Sequence, residues 1–194
     1  MAPTMEDRPL VQVVPLGRVD ETAVNVTAAH LQAVLDLNTQ ILSARPVPDY
    51  ALVPGRHQYN ALSIIDALTR DAPPSVLRLG LLRQDLCLPI MSFVYGEAQI
   101  EGQGAVVSLY RLGTTEDGRP VSPDQLYDRL AKITLHEMAH VLGLIHCRAP
   151  GCLMRFSPNP GHIDRMDMIF CPDCSMELVR RRTRLFRNYL ASEP

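Results

Sequence analysis

His136-Glu137-Met138-Ala139-His140-Val141-Leu142-Gly143-Leu144-Ile145-His146 is the stretch from which the rest of this chain can be read. On an α-helix, residues four apart are separated by about 40° around the axis, so His136 and His140 project from one face and can share a tetrahedral metal ion. Glu137 lies about 100° from His136, near enough to reach a metal-bound water but not the ion. A helix that simply continued would carry His146 away from both histidines. Gly143 solves this, because glycine accepts the positive φ needed to end a helix and turn the chain back. Three neutral imidazoles with one position left to water form an open zinc site. Zinc lowers the pKa of such a water to about 7, and Glu137 can complete the deprotonation and carry the proton onward. Two histidines on a core helix can arise by chance; the added glycine and third histidine at the correct offsets make chance a poor explanation.

Working outward, Ser122 reads as the N-cap of this helix, Pro123 as its first residue, and Gln125 as the partner that closes a capping box. Leu126, Leu130 and Ile133 give it an apolar stripe, and helical character runs to about Leu142. Upstream, strand-like and helix-like segments alternate. Leu10–Leu16 reads as a strand that Pro15 brings to an end, and Asp20 caps a helix with apolar positions at Val24, Ala28, Leu31 and Leu35. A short strand is expected over Ile41–Ala44, a helix over Tyr59–Leu68 and a buried strand over Val76–Leu82. Phe93–Ile100 and Ala105–Leu112 flank a hairpin or bulged corner at EGQG. This order predicts a mixed sheet with parallel members and an antiparallel edge strand.

The chain has 194 residues, 46% hydrophobic and 21% charged, which excludes disorder of the whole. Lys+Arg is 19 against 21 for Asp+Glu, a net charge of -2, so a nucleic-acid partner is not expected. No apolar run approaches the ~20 residues of a membrane span, and MAPTMEDRPL lacks the pattern of a secretion signal. A reducing cytosol is therefore the expected location, and a monomer the expected state. The expected layout is one catalytic domain over 1–194, with an N-terminal part at 1–143 and a C-terminal part at 144–194.

Four of the five cysteines, Cys147, Cys152, Cys171 and Cys174, follow the third histidine closely. Thiolates prefer zinc, and a closed four-sulfur tetrahedron is the usual structural site; two disulfides or unligated thiols are the alternatives. Cys87 reads as a small buried hydrophobe. A long terminal helix carries Arg180, Arg181, Arg182, Arg184 and Arg187 as a solvated face, with Leu178, Leu185 and Phe186 packing beneath. His162 reads as a loop histidine, and His30 and His57 have no metal spacing.

HEMAHVLGLIH matches the extended pattern HExxHxxGxxH, and with Cys147-x4-Cys152-x-Met154, Cys171-x2-Cys174, FVYGEA and AVVSLYRL the chain resembles the archaemetzincins from Phe93 to Cys174. The loop from Met154 to Cys171 is one residue shorter than that family's pattern, a change that affects local geometry only. The resemblance implies a metzincin-like α/β (α+β) zinc metallopeptidase with an upper mixed-sheet lobe, a smaller lower lobe carrying the four-cysteine zinc, and a cleft between them. It implies two zinc ions per chain, one catalytic and one structural. Met154 would form the Met-turn beneath the catalytic ion, although a methionine alone reads as core. Gly96, Glu97 and Ala98 would lie on an antiparallel edge strand that receives an extended peptide by β-augmentation. Two other readings compete: a zinc-stabilised module that binds peptides without cleaving them, and a redox protein built on Cys171 and Cys174. Glu137 favours the enzyme over the binder, and the histidines are unexplained by the redox protein.

Overall fold

The computed structural model describes the backbone of residues 9–192 and the side chains of residues 9–185, so the expected roles of the Phe186 and Arg187 side chains lie outside the described residues. The central element is α3 (Pro123–Val141), entered through Ser122, whose hydroxyl accepts the Gln125 N–H at 3.2 Å. The capping box is only half made, because the Gln125 side chain turns away and donates to Asp164 at 3.1 Å. From Arg129 onward every residue of α3 is buried, as a helix enclosed on all sides must be.

The main sheet runs β2-β1-β5-β9-β8, comprising β1 (Leu10–Leu16), β2 (Asn38–Ile41), β5 (Val76–Leu82), β8 (Gly96–Ala98) and β9 (Gly104–Ser108). The first four in that order are parallel; β8 is antiparallel to β9 and forms the edge. β5 is buried along its whole length, which is why VLRLGLL reads as a continuous apolar run. Pro15 does not end β1. Its carbonyl faces the side where β2 has already stopped and accepts from Arg45, so the missing N–H removes no bond from the β1–β5 ladder.

α1 (Glu21–Leu35) starts at Asp20, whose carboxylate accepts the Ala23 N–H at 3.2 Å, and it packs with α3 on one face of the sheet. α2 (Ala61–Thr69) covers the other face with Ile64, Ile65 and Leu68 against Val14, Leu16, Leu82 and Val106. The helix expected from Tyr59 begins at Ala61 because Asn60 serves as its cap. The strand expected at Ile41–Ala44 lies earlier, at β2, where Asn38 comes into register with Leu10.

A second sheet, absent from the sequence reading, runs β3-β4-β6-β7 through β3 (Leu52–Val53), β4 (Gln58–Asn60), β6 (Leu86–Leu88) and β7 (Met91–Val94). The expected strand Phe93–Ile100 is therefore split at Tyr95 between two sheets, and Ala105–Leu112 keeps strand geometry only to Ser108. The β8–β9 hairpin with its tip at Glu101 fits the expected corner.

Below α3 come α4 (Pro160–Arg165) and α5 (Pro172–Ser192). Cys152, Leu153, Met154, Ile163, Met166 and Leu178 join one apolar core with the α1/α3 face of the sheet. Cys87 is buried as expected, and His162 sits on α4 and not in a loop. Of the α5 arginines, Arg180 and Arg184 are exposed as expected, the latter paired with Glu101, whereas Arg181 and Arg182 are half-buried, Arg181 pairing with Glu101 and Glu177 and Arg182 with Asp36. Among the described residues no helix is long and apolar enough to cross a membrane.

Candidate active site

α3 brings His136, Glu137 and His140 to one cleft, and the turn after it brings in His146. The turn is a complete Schellman motif: Gly143 takes φ +98°, its N–H donates to His140 O at 2.8 Å, and Leu144 N–H donates to Ala139 O at 2.9 Å. The three imidazole centroids then stand 4.7, 4.8 and 5.3 Å apart. His136 and His140 are buried, and His146 is exposed against Phe156.

The hydrogen bonds fix the tautomers of the two buried rings. His136 Nδ1 lies 2.7 Å from Leu153 O, and His140 Nδ1 lies 2.7 Å from Leu144 O. A carbonyl only accepts, so each Nδ1 carries the proton and each neutral ring keeps a lone pair at Nε2. Those two nitrogens face each other at 3.1 Å. Two lone pairs at that distance repel unless a cation lies between them, and burial disfavours supplying that cation as a proton. Burial, then the neighbouring His140 and His146, push His136 down to about 3; burial lowers His140 and His146 as well. The donor set therefore fits a zinc ion, with Leu153 and Leu144 orienting its ligands.

Glu137 points from α3 toward the edge strand. An ideal Cβ on Gly96 would lie 2.7 Å from Glu137 Cγ and 3.0 Å from its Oε1, so the carboxylate occupies the space that a side chain at 96 would fill. Burial pushes the Glu137 carboxyl well above the ordinary carboxylate value, and the charge of Glu97 adds to this; Glu97, half-buried on β8, is itself raised by burial. Ala98 completes the edge. The cleft measures about 620 Å³ and is lined by this strand, the three histidines and Glu137, with Phe93, Tyr95, Ile133, Arg155 and Phe156 among its other walls. Sequence reading missed those five. Ile133 had a signal, lying three and four residues before His136 and Glu137 on the same helix face; the others come together only through the tertiary fold.

The four thiols form the second cluster. The Sγ atoms of Cys147, Cys152, Cys171 and Cys174 all lie within 4.8 Å of one another, and all five cysteines of the chain are free. Ala149 N–H donates to Cys147 Sγ and Cys171 N–H to Cys152 Sγ, each at 3.4 Å, an arrangement that stabilises thiolate. The thiols pull in opposite directions: burial raises Cys174 and Cys152, whereas the Cys174 backbone N–H lowers Cys171. Met154 is fully buried in the turn that joins the clusters. Cys152 supplies a thiol, Leu153 O holds His136, and Met154 O accepts the Cys147 N–H at 2.8 Å.

The chain is similar in sequence and fold to known proteins. The model of peptidase family M54 matches residues 56–180. The archaemetzincin of Halobacterium salinarum is 35% identical over 167 residues, covering 84% of this chain and 96% of its own. The crystal structure of Methanopyrus kandleri archaemetzincin superposes with a TM-score of 0.81 at 29% identity, covering 95% of this chain and all (100%) of its own. That of Archaeoglobus fulgidus archaemetzincin, complexed with malonate, gives 0.75 at 33% identity over 87% of this chain and 99% of its own.

Proposed function

The chain belongs to peptidase family M54, the archaemetzincin family of zinc metallopeptidases, and on that premise we propose that it hydrolyses peptide bonds at zinc held by His136, His140 and His146. The observation that carries this reading is the pair of Nε2 atoms 3.1 Å apart, both left as lone pairs by Nδ1–H bonds to backbone carbonyls, with Glu137 buried beside them. When bound there, zinc activates water and polarises the scissile carbonyl. The peptide lies along β8, whose free edge offers the outward-facing backbone donors and acceptors of Gly96 and Ala98, while the Glu97 backbone pairs with Val106 of β9 and its side chain borders the cleft. Glu137 takes the proton of the attacking water and passes it to the departing amine nitrogen. The apolar walls around Glu137 keep bulk water from that carboxylate.

Cys147, Cys152, Cys171 and Cys174 hold a second, structural zinc, giving two ions per chain. With Met154 beneath the histidines, that ion braces the floor of the cleft. The catalytic domain spans 1–194, divided at the turn near Gly143, and acts as a cytoplasmic monomer on peptide or protein substrates.

Glu137→Gln tests the proposal. The change nearly preserves volume and leaves the three histidines intact, so zinc content and Tm should stay at wild-type values. Turnover of a peptide library should fall by at least about a hundredfold, the lower end of what acid–base groups supply. Loss of zinc from this variant would make Glu137 a ligand. If the wild-type protein binds peptides but cleaves none, the binding-module reading takes its place.

A further inference from the structure

The turn that ends α3 is held from outside by α5. An ideal Cβ on Gly143 would lie 2.9 Å from Nη1 of Arg181 and 3.3 Å from its Cζ, so the guanidinium occupies the space that a side chain at 143 would take. The same Nη1 donates to Glu101 Oε2 at 2.8 Å, and Nε donates to Glu177 Oε1 at 2.5 Å. Glu101 sits at the tip of the β8–β9 hairpin with φ +54° and also pairs with Arg184. Its backbone N–H donates at 3.0 Å to His140 O, the carbonyl that also accepts from Gly143. Three elements therefore meet at Arg181: the hairpin carrying the edge strand, the last turn of α3, and α5.

His146 is the ligand most dependent on this junction. His136 and His140 are buried and tied to carbonyls, whereas the exposed His146 ring has no hydrogen-bond partner among the described residues and rests edge-on against Phe156 at 5.5 Å. Its position is set by the path of the chain through Gly143. We infer that Arg181 is a positioning residue for the histidine triad, fixing the Gly143 turn so that His146 stays opposite His136 and His140. Arginine suits the position because its planar fork reaches Glu101 and Glu177 at once while lying against Gly143. Cys174 stands on α5 about two turns before Arg181, so one helix links the thiol cluster to the histidine turn.

This inference rests on the triad's holding the catalytic zinc, a reading tested separately by wild-type zinc content and its loss in His146→Ala. The test of Arg181 is the rate at which the full-length, zinc-loaded protein gives up the ion of its open site to a chromogenic chelator, measured beside Tm. Partners that orient metal ligands are worth about 10–100-fold in metal affinity, so Arg181→Ala should release that zinc roughly tenfold faster or more. Arg180→Ala, an exposed change on the same helix, should release it at the wild-type rate. Arg181→Lys keeps the charge without the fork and should fall between; full rescue by lysine would assign the effect to charge alone and overturn the contact with Gly143. A purely structural arginine would lower Tm and leave the release rate unchanged, which also overturns the inference. Should Arg181→Ala fail to fold, Glu101→Gln at the hairpin tip reads the same junction, and wild-type release from it would overturn the inference.

Discussion

Gly96 lies where the edge strand meets the proposed base, and its missing side chain is what gives the Glu137 carboxylate its place. Gly96→Ala would set a methyl group 2.7 Å from Glu137 Cγ and 3.0 Å from Val106 O. The side chain of Glu137 can give way more easily than the backbone of β9, so the carboxylate moves. Displacement by about 1 Å can cost a hundredfold in rate, so kcat should fall roughly ten- to a hundredfold while the three histidines keep their zinc. A wild-type kcat in Gly96→Ala would show that the carboxylate does not need that space. At this scale the sequence was most legible where chemistry follows local spacing: His136, Glu137, His140, Gly143 and His146 all lie within one helix and its turn. It was least legible where a backbone atom does the work. Leu153 O orients His136 from 17 residues away, and nothing in a leucine marks its carbonyl as an acceptor.

At the scale of elements, Arg129 joins α3 to α4. Its Nε and Nη2 donate to the two oxygens of Asp164 at 2.6 and 2.8 Å, and Nη1 donates to Leu112 O and Thr114 O. The guanidinium is almost fully buried, and it holds the Asp164 carboxyl below its ordinary value. A carboxyl lowered by folding stabilises the folded state above its unfolded pKa of about 3.9, and that contribution disappears as pH falls through the lower folded value. Asp164→Asn should therefore cost stability at pH 7, by less than the ~3–5 kcal/mol for breaking a fully buried pair, since Asp164 is exposed to solvent and Arg129 keeps two carbonyl partners. The Tm gap between wild type and variant should narrow as the pH falls below about 4. A gap of constant size from pH 7 to acid would mean that the pair contributes nothing through its charge. Elements such as β1, α1 and β5 were readable because caps and apolar runs are local signals. The sheet β3-β4-β6-β7 was not, because strands of two to four residues are too short to show a period and exist only through their partners.

For the molecule as a whole, the two clusters make different demands on the fold. As proposed ligands, the three histidines would leave a coordination position open with one ring exposed, whereas four thiols with one buried member would leave none. Two zinc ions per chain are therefore expected, and a mild chelator should remove that of the histidines first. Finding one zinc in protein whose four cysteines are reduced and intact would rule out two sites. Stability separates them further. Structural zinc contributes about 10–16 kcal/mol of apparent binding free energy in zinc-finger peptides, which have almost no core of their own. Here Leu153, Met154, Ile163 and Leu178 share the core of the upper sheet, so part of the lower region is held without metal. Loss of the thiol site should therefore loosen the segment after Gly143 while β1, β5, β9 and α1 stay folded. Cys171→Ser leaves three thiols with no closed tetrahedron, while His146→Ala removes an exposed ring from an open site. Thermal melts should show the larger fall in Tm for Cys171→Ser, with the larger loss of turnover in His146→Ala. The reverse order in Tm would reject the division into one structural and one catalytic ion.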